Sequence, residues 1–156
     1  MHFLVLVSVG VETWKSVDLE VEAIMEKFVS STKNPNGICD WYEVGGCWSQ
    51  LFLVKDSCTE FSYGEFSSSE KEVEAPEGYQ WVCVARKKEI AWEAARELLP
   101  ELKDRKYHMI PSGFVRDGVW IPAILGQSLT SWEKAVDEWI SGLDDNAVLV
   151  GVDCHE

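Results

Sequence analysis

The chain has 156 residues, 46% of them hydrophobic, with 27 acidic against 14 basic side chains and a formal net charge of −13. That length suits one domain with a core of its own, so 1–156 is read as a single unit. A sequence pI near 4.6 excludes direct binding of duplex DNA, which needs clustered Lys and Arg against phosphate, and turns attention to basic protein partners.

His2 to Val9 is an apolar run that reads as the first strand. It lacks a basic leader and a small-residue cleavage site, and no apolar stretch nears the ~20 residues of a membrane span, so a cytoplasmic protein away from membranes is expected. Five cysteines, Cys39, Cys47, Cys58, Cys83 and Cys154, fit free thiols in a reducing compartment. After Ser16, the residues Val21, Ile24, Met25 and Phe28 recur at helical spacing and predict a helix with an acidic outer face. Trp48 to Val54 reads as a second strand. Asp56 to Gly78 is a polar excursion with Ser67-Ser68-Ser69 and a closing Ala-Pro-Glu-Gly turn, read as a loop or added hairpin.

Tyr79 to Ala85 alternates as a third strand. The basic cluster Arg86-Lys87-Lys88 then leads into a helix carrying Ile90, Ala94, Ala95, Leu98 and Leu102, bent or shortened at Pro100. Met109 to Pro122 reads as a hairpin closed by Asp117-Gly118. Thr130 and Glu133 form a capping box ahead of the stripe Trp132, Ala135, Val136, Trp139, Ile140 and Leu143. Ala147 to Val152 closes the chain as a strand. This order predicts an α+β fold: a ferredoxin-like sandwich, with helices on one face of a mainly antiparallel sheet, elaborated by the 56–78 excursion.

The segment from Asn34 to Trp48 is unlike the rest. Asn34-Pro35 and Asn36-Gly37 punctuate the backbone, Gly45-Gly46 permits close approach of another group, and Trp41, Tyr42 and Trp48 offer flat faces with polar handles. It reads as a platform for a small ligand. The alternative is structural: rings capping the end of a sheet, with the glycines forming a bulge.

The same segment carries a resemblance. Asn34-Pro35-Asn36-Gly37 leading into Asp40-Trp41-Tyr42-Glu43-Val44-Gly45-Gly46-Cys47-Trp48 resembles the signature of a widespread group of small phage and mobile-element proteins, with Asn-Pro, then Trp-Asp-Trp-Tyr, then Gly-Gly-Arg-Trp. The tail Val152-Asp153-Cys154-His155, the stretch Ile90-Ala91-Trp92-Glu93-Ala94 and the Asp117-Gly118-Val119-Trp120 turn are similar to that group as well. The resemblance implies a phage-type origin and no settled activity. Cys47 stands where the group usually has Arg, and that removes the planar fork best suited to phosphate or carboxylate. Cys39 replaces a usual aromatic, and Ile121 follows Trp120 where the group tends to have His.

Three function classes follow. The first is a stoichiometric immune-evasion protein that sequesters a nucleotide signal in the host cytoplasm. Its ligand-binding set would be Asp40, Trp41, Tyr42, Gly45, Gly46 and Trp48, with Arg86, Lys88, Arg116 and Trp120 around them. Bases would stack on the rings and phosphates would meet main-chain amides or cations. The second is an anti-CRISPR-like inhibitor whose Glu70, Glu72, Glu74 and Glu77 engage a basic groove of a host defence protein. The third is an enzyme drawing on Asp40, Glu43, His108, Asp153, Cys154 or His155, although no motif assigns a catalytic set. No cofactor is expected. With no C-x-x-C pair, and only Cys154-His155 placing two metal ligands side by side, no metal centre is expected either. Exposed aromatics make self-association an expectation.

Overall fold

A computed structural model of the protein describes residues 1–10, 16–58, 61, 74–98 and 110–156. Its elements in chain order are β1 (His2–Val9), α1 (Val17–Met25), β2 (Trp41–Val44), a 3-10 turn (Gly46–Trp48), β3 (Phe52–Lys55), β4 (Tyr79–Val82), β5 (Val84–Arg86), a second 3-10 turn (Lys87–Glu89), α2 (Trp92–Glu97), β6 (Gly113–Arg116), β7 (Val119–Pro122), α3 (Leu129–Ser141) and β8 (Val148–His155). The fold is α+β with a mostly antiparallel sheet. No helix among the described residues is long and apolar enough to cross a membrane.

The first and last strands form the centre. β1 and β8 pair antiparallel along their whole length, from His2 opposite His155 to Val9 opposite Val148. The sheet runs β2-β8-β1-β6-β7, with β1 and β6 its parallel pair. β5 joins the edge of β8 that β2 also uses: β2 pairs with residues 152–155 and β5 with 148–150, so the two lie end to end. β3 and β4 make a separate two-stranded sheet. The expected strand Tyr79 to Ala85 is therefore two strands. The chain leaves one sheet at Val82 and enters the other at Val84, and the carbonyl of the buried Cys83 between them accepts the Gly151 amide at 2.8 Å.

Period-2 alternation splits the core. Val5, Val7 and Val9 of β1 and Val148, Val150 and Val152 of β8 bury one face against Val17, Val21 and Met25 of α1. Leu4, Leu6 and Leu149 bury the other against Leu51, Phe52 and Val54 and against Trp132, Val136 and Trp139 of α3. α1 and α3 thus lie on opposite faces, which corrects the expectation of a ferredoxin-like sandwich with helices on one face. The physical reason is visible in the strands. β1 and β8 are apolar at nearly every position, so both faces need cover. On the α3 side, Phe114 stacks on Trp139 at 4.6 Å and on Trp132 at 5.6 Å between ring centroids.

Local chemistry accounts for the remaining elements. The β6–β7 hairpin turns at Asp117-Gly118, with φ of 52° and 75°, as expected of an Asp-Gly turn with both central residues left-handed. The α3 cap departs from expectation. Ser128, not Thr130, is the N-cap, and its side chain accepts the Ser131 amide. The capping-box spacing pointed to the wrong hydroxyl, two residues late. Trp48 to Val54 is not one strand either: a 3-10 turn ends at Trp48 and the strand starts at Phe52. Trp41–Val44, read as a platform, is the edge strand β2. Most of the 56–78 excursion lies outside the described residues, as do Met109, Pro100 and Leu102.

Candidate functional site

One charged side chain is buried among the described residues. Asp153, 1% exposed, sits in the otherwise apolar run of β8. A buried carboxylate has to be met by donors or by a counter-charge, and three segments supply what surrounds it. β1 brings His2, whose Nδ1 lies 3.0 and 3.1 Å from the two carboxylate oxygens. The 3-10 turn brings Cys47, whose backbone N–H donates to Asp153 Oδ2 at 2.9 Å. β2 lays Glu43 opposite Asp153 in register and Trp41 opposite His155.

The glycine pair creates this geometry. Gly45 and Gly46 hold φ of 79° and 51°, a region that side chains with a Cβ avoid. At Gly46, a Cβ would collide with the Asp153 carboxylate and stand 2.6 Å from Asp153 Cβ. Only a residue without a side chain lets the chain turn tightly over Asp153 and present the Cys47 amide. Gly-Gly and Val-Asp-Cys-His, which are far apart in sequence, meet here.

An aromatic row continues the site. Trp41 and His155 stack with centroids 5.2 Å apart and planes 12° apart. The His2 ring stands edge-on to both, at 5.7 Å from Trp41 and 5.0 Å from His155. These three come from three adjacent strands in register. Trp41 remains 44% exposed. His155 Nδ1 is buried and has no hydrogen-bond partner among the described residues. His2, Cys47 and Asp153 each offer one metal-type ligand atom, and those atoms lie within 4.8 Å of one another.

The expected ligand-binding set is only partly gathered here. Asp40 is exposed beside the site, and its amide donates to the His155 carbonyl at 2.7 Å. Trp41 belongs to the row. Tyr42, next in the strand, packs on the opposite face against the α1-side core. Burial, and then the Glu22 carboxylate, push its phenol pKa upward. Trp48 packs against the α3-side core. Gly45 and Gly46 are buried, and the Gly45 amide donates to the Gly151 carbonyl, so the glycines shape the turn. Trp120 packs against the α1-side core, its ring lying over Gly113.

Arg86 and Lys88 stand at the far end. Arg86 pairs with Val148 and Trp41 with His155, seven strand positions apart, or roughly 23 Å. Arg86 donates to the Asn146 carbonyl at 3.0 Å and lies over the Phe61 ring, and Lys88 donates to Asn146 Oδ1 at 2.7 Å. Their neighbour Lys87 donates to the Leu143 carbonyl at 2.8 Å, beyond the end of α3. Arg116, at the β6 turn, is exposed. Of the acidic set, Glu74 and Glu77 are exposed, while Glu70 and Glu72 lie outside the described residues, as does His108.

Sequence reasoning missed His2 and Cys47 as site residues. It placed Asp153 and His155 only among candidate catalytic groups. One signal was available: an aspartate inside the apolar run Val148–Cys154 marks a buried charge that requires partners. Three of the other thiols, Cys39, Cys83 and Cys154, are buried. Burial pushes Cys83 up to about 12. Burial likewise raises Cys39 and Cys154, which face each other.

Compared with protein-family models, with curated proteins and with solved structures, the chain shows no match.

Proposed function

We propose that this protein captures a small ligand with a flat ring, in the simplest case a nucleotide signal, at the end of the central sheet and holds it unchanged. The observation that carries this reading is the half-exposed Trp41 backed by His155. A tryptophan already stacked on one side is held in place, so a base laid on its exposed surface loses less conformational freedom on binding. Such stacks are worth about 1–3 kcal/mol per base. The imidazole of His2 adds a hydrogen-bonding group beside the same ring. Arg86, Lys88 and Arg116 do not serve this site, because they stand at the other end of the sheet. On this reading the protein is a phage-type sponge that supports immune evasion in the host cytoplasm and works stoichiometrically.

The test is to mix the protein with a panel of cyclic and linear nucleotides, follow tryptophan fluorescence, denature the complex and chromatograph what is released. Intact ligand supports capture. Degraded ligand replaces the sponge with an enzyme, and no binding by any nucleotide removes the reading.

A second reading, a protein-directed inhibitor, is favoured by one surface. Asp18, Glu20, Glu22 and Glu26 are exposed on and just beyond α1, next to Leu19 at 67% exposure. An apolar residue ringed by carboxylates suits a basic protein groove, and such binding would weaken steeply with salt.

A further inference from the structure

His2, Cys47 and Asp153 offer one imidazole nitrogen, one thiol sulfur and one carboxylate oxygen at a single point. We propose that these three side chains form a binding site for a divalent transition metal of borderline softness, zinc in the first instance. This inference goes beyond ligand capture and does not rest on it.

The distances fit. A tetrahedral zinc site with bonds of about 2.0–2.3 Å holds its ligand atoms about 3.3–3.8 Å apart. His2 Nδ1 and Asp153 Oδ1 are 3.0 Å apart, and the whole trio lies within 4.8 Å. Shifts of about 1 Å or less, mostly in the exposed side chains, would bring all three to the bond lengths of one ion. His2 and Cys47 are exposed, so they can make that adjustment and an ion can reach them from solvent.

Charge and donor chemistry point the same way. The Asp153 side chain is 2% exposed, and its contacts are the His2 ring and the Cys47 amide. A cation held between Asp153 and the exposed His2 and Cys47 side chains would offset the cost of burying that carboxylate. Mixed nitrogen, sulfur and oxygen donors suit zinc and disfavour magnesium and calcium, which take oxygen almost exclusively. Three protein ligands match the zinc sites that keep a fourth position for water or a substrate oxygen, as opposed to closed structural sites. A further nitrogen of ligand type is at hand in His155, whose buried Nδ1 has no hydrogen-bond partner among the described residues and whose ring lies 5.0 Å from that of His2.

The backbone places the ligands without help from sequence proximity. Cys47 and Asp153 are 106 positions apart, and His2 and Asp153 are 151 apart. β1–β8 register delivers one pair, and the left-handed glycine turn delivers the thiol.

The experiment is a cobalt(II) titration of the full-length, reduced protein, read by absorption. A thiolate-to-cobalt charge-transfer band saturating at one equivalent, with visible bands of tetrahedral intensity, is expected, and zinc should bleach both. Cys47→Ser should abolish the charge-transfer band, and His2→Gln should weaken zinc at least tenfold by calorimetry. Both substitutions are at exposed side chains, and circular dichroism would establish that the fold persists. Failure to saturate at one equivalent overturns the proposal. So does a charge-transfer band that survives unchanged in Cys47→Ser, because another thiol would then be the ligand.

Discussion

Gly46→Ala isolates the role of the turn over Asp153. Two costs add. Placing a Cβ at φ of 51° costs roughly 1–2 kcal/mol. The new methyl also meets the Asp153 carboxylate, with Asp153 Cβ only 2.6 Å away. To relieve that contact the turn must lift, and the charge-assisted bond from the Cys47 amide is lost, for about 1.5–3 kcal/mol more. The expected loss is therefore about 2.5–5 kcal/mol. Gly78→Ala is the matched control, since Gly78 has φ of 83° and a methyl group there would meet nothing within 4 Å. It should lose only the conformational part. At about 2–4 °C per kcal/mol for a chain of this size, Gly46→Ala should lower Tm by roughly 5–20 °C and Gly78→Ala by roughly 2–8 °C. Urea denaturation followed by tryptophan fluorescence measures both losses directly. Equal losses in the two variants would refute the claim that Asp153 is packed against the glycine turn.

Three further outcomes are expected. Trp41→Ala should leave stability within about 1.5 kcal/mol of wild type, because the ring is 44% exposed on an edge strand, while removing ligand-induced fluorescence change. Trp48→Ala should instead cost about 3 kcal/mol, as truncation of a ring packed on the α3-side core leaves a cavity; urea titration separates the two. Ser128→Ala should cost about 1 kcal/mol through loss of the α3 cap, whereas Thr130→Ala should be near neutral by the same measurement. Stability should fall with rising pH through Cys83, whose pKa burial pushes up to about 12. The unfolded chain releases that proton above about 9 while the fold retains it, so the contribution is full below about 9. It is lost at about 1.4 kcal/mol per pH unit until the folded thiol ionises. Denaturation under reducing conditions at about pH 8 and about pH 10, on either side of the free-thiol pKa, checks the sign, and Cys83→Ala should reduce the slope while leaving the share contributed by Cys39 and Cys154.

Elements whose cause is local were legible in the chain. β1 follows from its apolar run, the β6–β7 turn from Asp117-Gly118, and α3 from its stripe of Trp132, Val136 and Trp139. The layer order was legible in principle as well, since strands apolar at nearly every position are covered on both faces, but the order of strands and helices suggested one-sided packing. β2 escaped notice because its four residues sit among turn formers, and an edge strand that short owes its conformation to the partner β8 more than to its own pattern. The expected platform came apart for a related reason. Neighbouring residues of a strand point to opposite faces, so once Trp41–Val44 is extended, Trp41 and Tyr42 cannot share a surface.

The trio at Asp153 lay beyond any local reading, because its spacing is set by register and by a turn, not by a motif. Yet each part left a trace: an aspartate where the strand is otherwise apolar, a glycine pair ahead of a cysteine, and a histidine opening the first strand. Buried charge is the trace with the most physical content. An apolar residue at position 153 would satisfy the core at lower cost, so the carboxylate there has to be explained by what it holds. In the folded chain it holds the His2 ring and the Cys47 amide. Their convergence on one buried carboxylate beside an exposed, stacked tryptophan is what makes this end of the sheet the place to look for chemistry.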